Sequence, residues 1–122
     1  MLIPFLISKI HRARVTATDI DYSGSLTLDL DLMNQANLKE YQKVEIYNIS
    51  NGNRFSTYVI QGEPGSRDVV INGAAAHLVA QGDIVIIAAY AMIDERELNT
   101  LQSVILLMDE NNRVEKVLNG KL

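Results

Sequence analysis

The sequence predicts a mainly β protein, a closed or nearly closed β-barrel with short helical insertions. Two observations carry this prediction. Apolar and polar side chains alternate over several short segments, which is the period of a half-buried strand. The strands also lack the spacing of βαβ units, so a barrel is favoured over a parallel sheet covered by helices.

The strand predictions follow this alternation along the chain. Residues 26–30 and 43–47 alternate between apolar and polar side chains. The run 84–93 is continuously apolar, which is typical of a central strand buried on both faces. Residues 104–108 and 113–118 flank the turn-forming sequence Asp-Glu-Asn-Asn, and they are predicted to form a hairpin.

Two short helices are predicted between the strands. The first covers about residues 31–38. The second runs from about 73 to 80, with Asn72 as its N-cap and Gly82 near its C-cap. No repeat or linker interrupts the chain, so residues 1–122 are expected to form one domain.

Composition excludes several classes of protein. The 122 residues include no cysteine, which rules out disulfides, a thiol nucleophile and a thiolate-ligated zinc site. No metal site is expected. The net charge of −4 argues against a nucleic-acid or anionic-membrane coat. The apolar runs 2–7 and 84–93 are too short for a signal peptide or a spanning helix, so a soluble, cytoplasmic protein is expected.

Two polar segments precede the strand predicted at residues 26–30. In Lys9-Ile10-His11, a strand places Lys9 and His11 on one face. The alternative is an exposed basic strand end. In Tyr22-Ser23-Gly24-Ser25, glycine leaves its carbonyl open to attack by the next hydroxyl, because it has no Cβ to block the approach. The alternative is an ordinary connector.

Two further segments carry polar or small side chains. Asn51-Gly52 predicts a hairpin turn, after which Arg54 and Tyr58 share one strand face and Thr57 points to the other. Arginine suits a carboxylate and tyrosine carries a transferable proton, although a rim arginine and an amphipathic tyrosine are the alternative.

The small residues that follow Asn72 open a helix start whose N–H groups suit an anion, or else they serve close helix packing. His77 lies one turn into this helix and is not assigned a catalytic role.

Taken together, these segments resemble the aspartate 1-decarboxylase family in order and spacing. The resemblance covers Lys9 to about Ala91, and it departs at Arg67, where some relatives have glycine and where a stiffer loop is therefore expected. The family fold is a double-psi β-barrel assembled as a homotetramer. The matching blocks are residues 9–12, 15–16, 22–25, 51–58, 65–66, 72–76 and 82–86.

The resemblance implies that the chain cuts itself before it acts. The Ser25 hydroxyl attacks the Gly24 carbonyl, and the resulting ester eliminates to leave a pyruvoyl group made from Ser25. The products are a β chain of residues 1–24 and an α chain of residues 25–122. Thr57 stabilises the oxyanion of the Gly24 carbonyl. The sequence leaves open whether a helper protein takes part.

The resemblance also implies the second stage of the chemistry. The pyruvoyl group forms a Schiff base with L-aspartate and accepts electrons as CO2 leaves, which yields β-alanine for pantothenate and coenzyme A synthesis. Substrate-binding roles fall to Arg54, Thr57 and Lys9, and Tyr58 is the proton donor. Asn72 and the backbone of Gly73, Ala74 and Ala75 position the substrate, and the site is lined by His11, Tyr22 and Tyr47.

The predicted orientation of Thr57 fits this scheme only if each site is formed between neighbouring subunits. Strand alternation puts Thr57 on the face opposite Arg54 and Tyr58, so Thr57 and Tyr58 are predicted to serve different copies of the site.

The main alternative function is a non-catalytic small β-barrel binding module. A serine hydrolase that uses Ser25 with His11 or His77 is disfavoured, because no Gly-x-Ser-x-Gly sequence is present.

Overall fold

Nine strands, one α-helix and two 3₁₀ segments follow one another along the part of the chain that the structure describes, residues 1–23 and 25–119. The structure is a computed structural model. The helical segments are α1 (Leu30–Ala36) and the 3₁₀ helices Gly73–Leu78 and Glu95–Glu97. The strands are β1 (Leu2–Arg14), β2 (Ala17–Asp19), β3 (Leu26–Asp29), β4 (Lys43–Asn48), β5 (Arg54–Gly62), β6 (Val69–Asn72), β7 (Ile84–Asp94), β8 (Val104–Met108) and β9 (Val114–Asn119).

The strands form a single sheet in the order β2-β6-β3-β5-β4-β7-β1-β8-β9. Only two residues separate β1 from β2, although β2 is the first strand in this order and β1 is the seventh. The chain therefore brings two distant places in the sheet close together. The Val15 N–H donates to Asp83 O at 2.8 Å, just before β7, and the Thr16 N–H donates to Val69 O of β6, also at 2.8 Å. The sheet therefore closes on itself as a barrel, and the β8–β9 hairpin extends it on the outside of β1. The predicted mainly β barrel with short helical insertions is confirmed.

The barrel encloses one cluster of buried apolar side chains. Alternation along each strand sends every second residue inward, as β4 shows by burying Val44 and Ile46 between exposed or half-buried neighbours. The fully buried members come from strands on every side of the barrel, so the core ties the whole sheet together. They include Ile10, Leu26, Leu28, Val59, Ile71, Ile87 and Leu106.

The predicted first helix is confirmed, and each of its ends lies within two residues of the predicted position. It begins at Leu30, so the predicted strand over residues 26–30 ends one residue early. Asp29 is the N-cap, and its carboxylate accepts the Asp31 N–H at 2.8 Å. The helix ends at Asn37, whose φ of +57° is the left-handed conformation of a helix C-cap.

The second helix prediction is wrong in type, length and capping. Gly73–Leu78 forms a 3₁₀ helix, and Val79 returns to extended backbone. Asn72 has extended φ and ψ because it still belongs to β6, and its side chain makes no capping bond. Gly82 lies beyond the helix end, and its N–H donates to Val15 O at the closure of the barrel.

Two strand predictions have different outcomes. The predicted hairpin is confirmed, because β8 and β9 pair antiparallel on either side of the turn. The central position of β7 is also confirmed, since it lies between β1 and β4. Its burial on both faces is confirmed only around residues 87–89, while Tyr90 and Met92 are 46% and 59% exposed. No described element covers the outer face of β7 there, which explains the exposure.

Candidate active site

The connector of residues 22–25 is held between two strands beside the end of β6. The Asn72 N–H donates to Ser25 O at 2.8 Å. On the other side, the Tyr58 hydroxyl donates to Ser23 O at 3.2 Å. Gly24, the predicted site of cleavage with Ser25, lies outside the described residues. The structure thus brings Tyr58 and Asn72, from β5 and β6, to the two residues that flank Gly24 in sequence.

Gly73 lets the chain turn close to this connector. Its φ is +65°, a conformation that favours glycine, and a Cβ at this position would lie 3.4 Å from Tyr22 O. Ala74 and Ala75 follow in the 3₁₀ helix, exposed and half-buried respectively. The start of the small-residue segment therefore lies next to the connector.

The Asn72 side chain is buried against β3 and does not cap the helix that follows it. It is only 2% exposed, and its Nδ2 donates to Thr27 Oγ1 at 3.0 Å. The side chain that was predicted to cap the next helix therefore links β6 to β3. This contact fixes the end of β6, whose backbone N–H holds Ser25.

Thr57 carries a buried hydroxyl that has no hydrogen-bond partner among the described residues. It lies on β5, two residues before Val59, and Val59 pairs with Leu26 at the start of β3. Burying a hydroxyl without a partner is unfavourable, and such groups in native proteins call for an explanation. Thr57 faces inward, whereas Arg54 and Tyr58 are exposed, so the predicted opposition of faces is confirmed.

Arg54 lies at the start of β5 against the aromatic ring of its cross-strand neighbour. Arg54 and Tyr47 pair in the β4–β5 ladder, and the guanidinium carbon is 4.1 Å from the centre of the Tyr47 ring. This distance is within the range of a cation–π contact. The Tyr47 hydroxyl in turn lies 3.0 Å from the Tyr90 hydroxyl on β7. The hydrogen bond with Tyr47, followed by burial, raises the pKa of Tyr90.

Lys9 and His11 lie on one face of β1, as predicted, and this face is the outer one, because the intervening Ile10 is buried in the core. Lys9 pairs with Ala88 of β7 and forms no ion pair within residues 1–23 and 25–119. The His11 Nδ1 is buried without a hydrogen-bond partner in the same part of the chain. Burial, followed by the positive charges of Lys9 and Arg12, lowers the pKa of His11. A neutral His11 beside a free Lys9 leaves the lysine as the cation available to a carboxylate.

The predicted site residues form two groups rather than one pocket. The first group is the connector, with Tyr22 and Ser25, and the residues that contact it, Tyr58, Asn72 and Gly73. Lys9 and His11 lie on β1, which β7 and β4 separate from β5, a path of roughly 14 Å at the usual strand spacing. Between them is an outward cleft of about 160 Å³, lined by Lys43, Val44, Glu45, Ala88 and Tyr90. Such a volume is small for a ligand pocket, and the site stays open on its outer face.

The sequence predicted none of the residues that line this cleft, and Tyr90 is the one that contacts a predicted site residue, Tyr47. Tyr90 shares a face of β7 with Ala88, but the run 84–93 is continuously apolar, so no alternation marked that face as outward. Its link to Tyr47 depends on the pairing of β4 with β7, which joins segments about forty residues apart and leaves no local signal.

Two further observations on the described residues concern metal binding and membrane-spanning helices. No three side chains of histidine, aspartate or glutamate come together there in a way that could hold a metal ion. None of the helices described is both long enough and apolar enough to cross a membrane.

Comparison with known proteins connects this geometry to one family. Residues 1–115 match the family model described as aspartate decarboxylase. The chain is 51% identical over 118 residues to the aspartate 1-decarboxylase of Sulfurimonas denitrificans, covering 97% of this chain and 98% of that protein. It is 50% identical over 117 residues to that of Wolinella succinogenes, covering 96% and 97%. The protein of the same name from Caldicellulosiruptor saccharolyticus is 50% identical over 119 residues, covering 98% and 93%. The chain therefore belongs to the aspartate decarboxylase family, and it is an enzyme of the carboxy-lyase class.

Proposed function

We propose that this protein removes the α-carboxylate of L-aspartate to give β-alanine and CO2, in the cytoplasm and for pantothenate synthesis. We further propose that it first cleaves itself between Gly24 and Ser25. The relatives named above support the reaction and the substrate. The observation that carries the self-cleavage is the buried, unpartnered hydroxyl of Thr57 beside the start of β3.

The cleavage needs a nucleophile and a donor to the developing oxyanion. The Ser25 hydroxyl adds to the Gly24 carbonyl carbon, the C–N bond breaks, and the amide becomes an ester with a free amine. Thr57 donates its unused hydroxyl proton to the carbonyl oxygen while negative charge develops there. Loss of the Ser25 Cα proton then releases the Gly24 carboxylate, and hydrolysis of the dehydroalanine sheds ammonia.

The residues present fit the pyruvoyl group that this sequence of steps would leave at position 25. Among the described residues Thr57 offers a hydroxyl without a partner, the Asn72 N–H holds the Ser25 carbonyl, and the positive φ of Gly73 lets its backbone approach Tyr22. The group would supply a ketone that binds the substrate amine and a carbonyl that accepts the electron pair left by CO2.

The chain's own side chains then bind and orient the substrate. L-Aspartate carries two carboxylates, and Arg54 and Lys9 supply two cations on the outer face of the sheet. Tyr58 holds the proton that replaces CO2 at the substrate's α carbon, since its hydroxyl already reaches the connector. Asn72 and the backbone of Gly73, Ala74 and Ala75 position the substrate, while His11, Tyr22 and Tyr47 line the site.

We place the complete site between subunits of a homotetramer. Arg54 and Tyr58 are exposed in the single chain, Thr57 points to the opposite face, and Lys9 lies several strands away. A second copy packed on the outer face would close the open cleft and bring in the missing cation. Exclusion of water by that copy would strengthen the carboxylate contacts.

Intact mass of the purified chain, incubated alone and warm, tests the proposal. Two pieces are expected, residues 1–24 and 25–122, with the larger piece lighter by one ammonia than a serine-terminated chain. Ser25→Ala should remain one chain and should not turn over L-aspartate. Ser23→Ala is the matched control, because it changes the other serine beside Gly24, and it should cleave normally.

Arg54→Ala separates the two stages. It should cleave like the unmodified chain but should lose most of its aspartate turnover, because the carboxylate loses its bidentate partner. A chain that stays intact and releases no CO2 would favour the binding module instead. Hydrolysis of ester substrates by an uncleaved chain would favour the serine hydrolase.

A further inference from the structure

Tyr90 is an outward-facing tyrosine whose hydroxyl contacts the residue beneath Arg54. It lies on β7, it is 46% exposed, and its hydroxyl is 3.0 Å from that of Tyr47. None of the site roles given above falls to it.

The three side chains form a chain of contacts across three strands. Tyr47 on β4 stands directly opposite Arg54 on β5, and its ring lies 4.1 Å from the guanidinium carbon. β7 borders β4 on its other side, where Tyr47 pairs with Ile86, and Tyr90 is four residues further along β7. The Tyr47 ring is therefore held from one side by a hydroxyl contact while it supports Arg54 with its face.

The arrangement matters because an exposed arginine is otherwise free to sample many rotamers. If the substrate must order the guanidinium when it binds, the entropy lost in that ordering weakens the binding of the substrate. A ring fixed in one orientation presents its face, where the negative part of its quadrupole lies, to the cation before the substrate arrives.

We propose that Tyr90 is a positioning residue that acts through Tyr47 to hold the Arg54 guanidinium ready for a substrate carboxylate. The proposal rests on the proposed function, in which Arg54 binds that carboxylate. Tyr90 does not touch the substrate in this scheme. The raised pKa of Tyr90 agrees with it, because the hydroxyl stays protonated and available for the bond with Tyr47.

Steady-state kinetics of Tyr90→Phe provide the first test. Removing only the hydroxyl should raise the KM for L-aspartate about three- to tenfold, the effect of losing one hydrogen bond of ordinary strength. The kcat should stay within about twofold, and self-cleavage should be unchanged. Tyr47→Phe should give the same change, and the double variant should be no worse than either single variant, because both remove the same bond.

Tyr41→Phe is the matched control. Tyr41 is also an exposed tyrosine, its ring packs against that of Tyr58, and its hydroxyl makes no hydrogen bond within the described residues. Phenylalanine keeps the ring contact, so KM and kcat should not change. In an Arg54→Ala background, Tyr90→Phe should cause no further loss, because the residue it positions is gone.

A readout that does not depend on turnover separates this inference from the proposed function. In the unmodified protein, the Tyr47 ring current should shift the NMR signal of the Arg54 side-chain N–H upfield, and Tyr90→Phe should reduce that shift. An unmoved signal together with an unchanged KM would overturn the role of Tyr90. Failure of the unmodified protein to cleave or to decarboxylate would overturn the proposed function alone, and the NMR signal would still decide the positioning.

Discussion

At the residue scale, the buried hydroxyl of Thr57 lowers the stability of the fold near the proposed site of cleavage. A hydroxyl buried without a partner destabilises a folded chain by about 1–3 kcal/mol relative to one that is hydrogen-bonded. Thr57 is in this state as far as residues 1–23 and 25–119 are concerned, while Thr27 on the adjacent strand β3 accepts a bond from the Asn72 amide. The two threonines therefore differ in what they contribute, although both lie in the barrel wall.

Thr57→Val should separate folding from function. Valine keeps the shape and removes the unpartnered hydroxyl, so the free energy of unfolding of the uncleaved protein should rise by up to about 1 kcal/mol. Self-cleavage should slow by roughly 100-fold or more, the usual effect of losing an oxyanion donor. Chemical denaturation in the Ser25→Ala background gives the first quantity, and intact mass against time gives the second.

Thr27→Val is the control for this prediction. It removes the acceptor of a buried amide, so the free energy of unfolding should fall by about 1–2 kcal/mol. If Thr57→Val were equally destabilising, its hydroxyl would have a partner in the folded protein. If it cleaved at the normal rate, Thr57 would not be the oxyanion donor.

At the scale of the element, Asp29 links the start of α1 to the loop before β6. It is 2% exposed, and one carboxylate oxygen accepts the N–H groups of Asp31 and Gly65, at 2.8 and 3.0 Å. The other accepts the Arg67 N–H at 2.7 Å. Arg67 has a φ of +60°, a strained conformation for a residue with a Cβ. The carboxylate therefore caps a helix and holds an unfavourable loop backbone at the same time.

Asp29→Ala should lower the free energy of unfolding by about 2–4 kcal/mol, because three N–H groups lose their acceptor. Asp94→Ala is the matched control. Asp94 also caps a short helix, through the Arg96 N–H at 3.0 Å, but that contact is exposed to water. Urea denaturation of the two variants should show a much larger loss for Asp29. Equal losses would mean that the loop contacts of Asp29 contribute nothing.

The elements differ in how well the sequence predicted them, for a physical reason. Alternation identified β4, because the side chains of a half-buried strand point in turn to the core and to solvent, and the turn-forming residues 109–112 identified the β8–β9 hairpin. Alternation also predicted that Thr57 and Arg54 lie on opposite faces of β5. The alanine-rich segment 73–80 was predicted as a capped helix from local propensity alone. Asn72 instead remained in the sheet, because pairing with a distant strand outweighed a local cap.

The contacts within the candidate site were only partly predictable from the sequence. The connector residues could be grouped together because they are adjacent in the chain. The contact between Tyr47 and Tyr90 was missed because it depends on the order of strands in the sheet. The distance between Lys9 and the connector could not be predicted either, because it also depends on the order of the strands.

At the scale of the whole molecule, Asn112 fastens the outer hairpin to the closure of the barrel. It is 3% exposed, and its Oδ1 accepts the Arg14 N–H at 2.7 Å. Its Nδ2 donates to Arg14 O at 2.8 Å and to Arg67 O at 3.2 Å. One side chain therefore joins the end of β1, the turn between β8 and β9, and the loop before β6.

Asn112→Gly should lower the free energy of unfolding by about 2–3 kcal/mol. Glycine tolerates the φ of +58° at this position, so the loss reports the side-chain bonds and the greater freedom of the unfolded chain. Asn37→Gly is a close control, because Asn37 has a φ of +57° but is exposed. It should cost far less. Thermal denaturation that showed equal shifts would contradict the fastening role of Asn112.

The position of β1 has a consequence for the protein after it has been cut. The strand lies between β7 and β8 and is hydrogen-bonded to both, while the Asn72 N–H holds the chain at Ser25. Opening the bond before Ser25 would leave the N-terminal piece threaded through the barrel as a non-covalent subunit. The molecule would then be a heterodimer in its own fold. Its reassembly after unfolding would follow second-order kinetics and would slow down on dilution, whereas the refolding of the intact precursor would not.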